Sequence, residues 1–170
     1  MPQLDSFRRE KNEFYADDPQ SPLTPEQQQH FKGLKYFPAN PALRLEVSVE
    51  RFASQEEVNM QTSTGSVQTY YRYGRFSFRV DGQEAELTLY SSDDGDFFLP
   101  FKDSLAGKDT YSAGRYLEPV ALGGDHFVID FNYAYNPYCA YNERWSCPLP
   151  PLENRLNVAI RAGEKVFEAH

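Results

Sequence analysis

The sequence predicts a mainly β protein: an antiparallel barrel or strongly curved β-sandwich of about eight strands, with two helices packed against it at the N-terminal end. Three observations carry this reading. From Leu43 onward, apolar residues recur at every second position in short runs, the period of a half-buried strand. Glycine-containing turn signals separate those runs, as hairpins require. Before Leu43 the apolar spacing is that of a helix. At 170 residues, 40% hydrophobic and 15% aromatic, the chain can build one sizeable core. We expect a single domain over 1–170, made of a helical brace over 1–34 and a β region over 42–170.

The brace starts with Leu4, Phe7, Phe14 and Tyr15 at helical spacing, and ends before Asp17-Asp18-Pro19. A second, short helix begins at Thr24-Pro25-Glu26-Gln27. Thr24 can cap it, Pro25 suits the first helical position, and Gln27 completes a capping box. This helix is expected to stop at Gly33.

The β region opens with Leu43, Leu45, Val47 and Val49 alternating with polar residues. Val67, Thr69, Tyr71 and Tyr73 follow the turn at Thr64-Gly65-Ser66. The apolar parity then flips to Phe76, Phe78 and Val80. Such a flip across Gly74 predicts a bulge or bend in one long strand. Asp81-Gly82 is the strongest hairpin signal in the chain, and Ala85, Leu87 and Leu89 form the return strand. Further strands are expected at Phe97–Phe101, Arg115–Leu122, His126–Asn132 and around Leu156, Val158 and Ile160.

The charge of −8 argues against nucleic acid binding, which needs a basic stripe, and none is visible in the sequence. Apolar runs are too short to span a membrane, and the charged opening MPQLDSFRREKNEF lacks the apolar centre of a signal peptide. These features predict a soluble, cytoplasmic protein. Two cysteines do not make a disulfide scaffold.

Chemistry-bearing residues concentrate between Asp130 and Lys165, which holds both cysteines, the only tryptophan and four of the twelve tyrosines. Cys139 and Cys147 admit three readings: small thiols packed among aromatics, a disulfide or redox pair, or a metal ligand or nucleophile. No CxxC pair accompanies them, and His30, His126 and His170 are too scattered to assemble a triad. Asp130 and Asn132 would share one strand face, opposite Phe127, Ile129 and Phe131. The loop from Lys102 to Arg115 forms a second cluster with Asp103, Asp109, Thr110 and Tyr111. Arg115 could grip an anion bidentately or be fastened in a salt bridge to Asp130, Asp103 or Glu164. Arg72 and Tyr73, beside the expected bulge, are weaker candidates of the same kind.

Four motifs, TYxAGRYL at Thr110–Leu117, DFNxAYNPxCAY at Asp130–Tyr141, SCPLPPxENRL at Ser146–Leu156 and AGEK at Ala162–Lys165, closely resemble a bacterial and archaeal family known as domain of unknown function 1684. SPL at Ser21–Leu23 and FKGLKYFP at Phe31–Pro38 extend the resemblance over nearly the whole chain. Tyr138 departs from the pattern, standing where a second proline is expected. The resemblance implies no reaction, cofactor or partner. It does group Arg115, Asp130, Asn132, Tyr135, Asn136, Cys139, Cys147, Asn154, Arg155 and Glu164 as one motif set.

Taken together, the residues suggest a pocket at one end of the β region, where the segment Asp130–Lys165 meets the loop Lys102–Arg115. The leading expectation is a module that binds a small polar or anionic metabolite. Arg115 would contact the anion, Asn132, Tyr135 and Asp130 would orient the ligand, and Tyr111 and Arg72 would supply further polar contacts. An enzyme of hydrolase or isomerase type would use Asp130 as general base or Cys139 as nucleophile. A structural or redox-responsive protein would use Cys139 with Cys147. The cofactor and the oligomeric state stay open.

Overall fold

The computed structural model of the chain describes residues 3–167; residues 1–2 and 168–170, His170 among them, lie outside the described residues. Helix α1 spans Leu4–Asp17. Helix α2, Pro25–His30, is held by the expected capping box: Gln27 N–H donates to Thr24 Oγ1 at 3.1 Å and Thr24 N–H to Gln27 Oε1 at 2.8 Å. It ends at His30, three residues short of Gly33. Asn12 of α1 accepts the N–H of Leu34. Tyr15, Leu23 and Tyr141 form a small apolar cluster beneath the helices, separate from the main core.

Nine strands follow among the described residues. One sheet has three antiparallel strands in the order β1 (Arg44–Ser48), β9 (His126–Asp130), β8 (Val120–Gly123). The other has six. Its centre is the 14-residue β4 (Val67–Val80), flanked on one side by β2 (Glu50–Arg51) and β3 (Glu57–Gln61) and on the other by β5 (Gln83–Ser91), β6 (Phe97–Phe101) and β7 (Arg115–Leu117). No ladder joins the ends of either sheet among the described residues, so the fold is sandwich-like and not a closed barrel. The core between the sheets collects Val49, Phe76, Phe78, Leu87, Leu89, Phe127, Ile129 and Phe131. Ridges of alternating apolar residues from both sheets meet there.

The parity flip is a real irregularity: the β4–β5 register shifts between Arg72 and Gly74. At Gly74 a Cβ would lie 2.6 Å from the carbonyl oxygen of Glu50, so only glycine lets β2 approach. The Asp81-Gly82 hairpin also forms, with both residues at positive φ (50° and 81°), the signature of a type I′ turn.

Three expectations need correction. Arg115–Leu122 is not one strand. It breaks at Glu118-Pro119 and its halves enter different sheets, because Pro119 has no N–H to continue a ladder. The strand from His126 stops at Asp130, whose carboxylate caps a 3₁₀ turn over Phe131–Tyr133; Asn132 therefore leaves the strand. The segment around Leu156, Val158 and Ile160 buries those three side chains as expected but is not a strand. Side chains, described below, take the place of a ladder partner. Strand β2 is only two residues long, and β3 offers only Val58 and Met60 as apolar positions, too short a run to read from sequence.

Candidate functional site

The loop before β7 and the C-terminal segment do meet, but what they enclose is a packed polar interior. Arg115, 1% exposed, donates from Nη1 to the carbonyls of Ala162 (2.5 Å) and Glu164 (3.0 Å), and from Nη2 to that of Ile160 (2.9 Å). Asp103 lies 3.6 Å from Nη2 and accepts the N–H of Ile160 at 2.8 Å. Arg115 and Asp103 thus pair the backbone of the last segment as a strand would. Burial pulls the guanidinium pKa down to about 10, against the opposing pull of Asp103 and Glu164.

Asn154 plays a similar part on the neighbouring strands. Its Nδ2 donates to the carbonyls of Thr88 and Pro100, and its Oδ1 accepts the N–H of Thr88, each at 2.8 Å. The β5–β6 ladder pairs only Tyr90 with Phe98 and Ser91 with Phe97, and Pro100 has no N–H to extend it. The amide of Asn154 fills that gap. Next to it, Glu153 receives Arg72 through two nitrogens (2.7 and 3.1 Å), Tyr90 (2.6 Å) and Thr88 (3.0 Å). Burial pushes the carboxyl pKa of Glu153 up, but these hydrogen bonds outweigh it and hold the group below the usual range. Arg72 is therefore placed on Glu153.

Asp130 and Asn132 are brought together. Asp130 Oδ1 accepts both the backbone and the side-chain N–H of Asn132. Asn132 in turn exchanges hydrogen bonds with the backbone N–H and C=O of Asn40, tying the chain before β1 to the end of β9.

Cys139 and Cys147 are both free thiols. The N–H of Cys139 donates to Cys147 Sγ at 3.3 Å. Tyr111 Oη lies 3.7 Å from Cys139 Sγ. The N–H of Cys147 donates to Ser63 Oγ, and its carbonyl accepts the N–H of Ser63. The hydrogen bond from Cys147 lowers the Cys139 pKa to about 6. Burial opposes that shift, and Tyr111 and Ser63 assist it. Cys147, the donor, is pushed up. Between the cysteines, Trp145 donates to the carbonyl of Pro22 at 3.2 Å and packs on Tyr138.

A cleft of about 540 Å³ reaches Pro148, the residue after Cys147. Four rings run along it: Tyr70 stacks on Phe98 (5.1 Å), Phe98 meets Tyr116 edge-on (4.8 Å), and Tyr116 meets Tyr135 (5.9 Å). Pro119 and Pro148 complete the apolar wall, and Asp96 and Glu118 supply two carboxylates. None of the lining residues is basic. Tyr116 is fixed by a short hydrogen bond to the carbonyl of Pro148, and Tyr135 donates to Glu118 Oε1 at 2.6 Å. Behind Tyr135, Lys11 of α1 ion-pairs with the buried Glu164, which also accepts Tyr141 Oη at 2.5 Å. The ammonium sits 5.0 Å from the Tyr135 ring centre.

The family profile described as "Protein of unknown function (DUF1684)" matches residues 29–165. The chain belongs to the DUF1684 family. This DUF1684 protein is similar along its length to an uncharacterized protein of Haloarcula marismortui solved by solution NMR. The two are 38% identical, the match covers 96% of this chain and 92% of the other, and the TM-score is 0.71. No curated protein matches it.

Of the residues singled out in this DUF1684 sequence, Tyr135 lines the cleft and Tyr111 meets the thiol pair. Asp130 with Asn132, Arg72 and Arg115 each lie in separate polar contacts. Among the described residues no group of three or more His, Cys, Asp or Glu is placed to hold a metal ion, and no helix is long and apolar enough to cross a membrane. Sequence reasoning missed Tyr70, Phe98, Tyr116, Asp96 and Glu118, which converge from separate elements. The one local hint was Glu118-Pro119 directly after the TYxAGRYL motif.

Proposed function

We propose that this chain is a binding module whose aromatic cleft takes a small organic cation, an amine or quaternary ammonium. The observation that carries the reading is the row Tyr70–Phe98–Tyr116–Tyr135 beside Asp96 and Glu118, with no basic residue in the lining. Ring faces attract a cation through their quadrupoles, more strongly as water is excluded, and carboxylates at the mouth add charge complementarity. Apolar walls with few polar groups are the usual make-up of a small-molecule site. The donors of Arg115 are directed at backbone carbonyls, which favours a cationic over an anionic ligand class.

Saturation-transfer NMR with benzyltrimethylammonium, against benzoate as the anionic control, tests this. The cation is expected to receive saturation from the wild-type protein, less from Glu118→Gln and least from Phe98→Ala. Equal transfer to benzoate, or cation binding indifferent to both substitutions, would sink the proposal.

A further inference from the structure

We propose that Cys139 and Cys147 are a reversible dithiol pair that exchanges with low-molecular-weight disulfides, Cys139 attacking and Cys147 resolving. The inference rests on the thiol corner alone and is independent of the cleft.

The geometry makes the two sulfurs unequal. Cys139 follows Pro137 in a 3₁₀ turn and is partly exposed, whereas Cys147 is buried. Ser63 holds the Cys147 backbone from both sides, through Ser63 N–H to Cys147 C=O at 3.0 Å and Cys147 N–H to Ser63 Oγ at 3.2 Å. The contact of Cys139 N–H with Cys147 Sγ at 3.3 Å sets the resolving sulfur beside its partner's own backbone. Tyr111 Oη lies 3.7 Å from the accessible sulfur of Cys139 and can donate to its thiolate. Donors around a sulfur favour its thiolate, the form that attacks disulfides. The lowered pKa of Cys139 and the raised one of Cys147 agree with this division. A thiol kept protonated until its turn is suited to the second step.

Cys139, having lost its proton to water, attacks one sulfur of R–S–S–R. That S–S bond breaks, RS⁻ leaves, and a Cys139–S–S–R mixed disulfide forms. Cys147 then gives up its proton and attacks Cys139 Sγ, expelling the second RS⁻. The two protons released by the cysteines end on the two RS⁻ groups. The protein dithiol is oxidised to a disulfide, and one R–S–S–R is reduced to two R–SH.

Intact-mass and peptide mapping after exposure of the full chain to glutathione disulfide tests each step. Wild type should lose two hydrogens and yield a linked Cys139–Cys147 peptide. Cys147→Ser should instead accumulate one glutathionyl group on Cys139, and Cys139→Ser should stay largely unmodified. A glutathionyl adduct persisting on wild type, or Cys139→Ser reacting as fast as wild type, overturns the assignment. Iodoacetamide alkylation of the wild-type protein gives a reading that needs no cysteine variant. Its rate at Cys139 should reach half-maximum near pH 6, and Tyr111→Phe should move that midpoint up by as much as about one unit, lowering the rate about tenfold at a pH one unit below the wild-type midpoint. A midpoint in the range of an ordinary thiol overturns the attacking role of Cys139.

Discussion

Asn154 occupies a place that no backbone group could fill. Where β5 and β6 diverge, one strand presents a proline, and the three groups left over are two carbonyls and one N–H. A primary amide has both donors and an acceptor at one planar end, so a single side chain satisfies all three. Asn154→Ala would bury them without partners, at about 1–3 kcal/mol for each unsatisfied group. We expect an aggregate loss of about 3 kcal/mol or more, seen as a fall in the urea midpoint with unchanged slope. An effect within the range of a surface substitution would show that water replaces the amide. Arg115 acts by the same logic on the last segment, with a planar fork that reaches three carbonyls. Its fastening to Asp103 was one of the readings open from sequence alone. Nothing in a single sequence marks a buried Asn as a surrogate strand residue, because its partners, Thr88 and Pro100, are far from it along the chain.

Elements whose signals are local could be read from the sequence, and those defined by distant partners could not. The capping box at Thr24, the Asp81-Gly82 turn and the parity flip at Gly74 are each carried by neighbouring residues, and all three form. The break at Glu118-Pro119 and the turn capped by Asp130 depend on which sheet the chain enters next. Leu156, Val158 and Ile160 alternate like a strand because they face the core, yet alternation cannot say whether a backbone partner is present. The cleft was hidden for the same reason, since its four rings come from β4, β6, β7 and the segment after β9. Gly163 shows how tightly the last segment is seated. Its φ is +79°, and a Cβ there would lie 2.7 and 2.8 Å from the carbonyl oxygens of Ala134 and Phe131. Gly163→Ala should therefore cost about 2 kcal/mol or more, from left-handed backbone and steric contact together. Thermal melting checks this, and an unchanged midpoint would mean that the segment shifts freely.

At the scale of the whole molecule, several long-range contacts are ionic. Asp125, in the β8–β9 hairpin, receives Arg51 and Tyr73 from the other sheet, and these hydrogen bonds lower its pKa. Glu153 is lowered by Arg72, Tyr90 and Thr88 against the effect of burial. A carboxyl whose pKa is depressed by folding adds stability that is fully present above its unfolded pKa. That stability is lost as pH falls through the folded value. The contribution of these two carboxyls should thus be level around neutrality and decline below the ordinary carboxylate range. Arg72→Gln should flatten part of that decline, as melting points measured across acidic pH will show; an identical slope would remove Glu153 from the account. The N-terminal brace joins the β region through Lys11 on Glu164, and also through Trp145, whose indole reaches the carbonyl of Pro22 from between the two cysteines. Because the chain has no second tryptophan, its indole emission comes from one known address. The emission of a single indole reports, without labelling, on the corner where the N-terminal segment, the thiol pair and the loop between them touch.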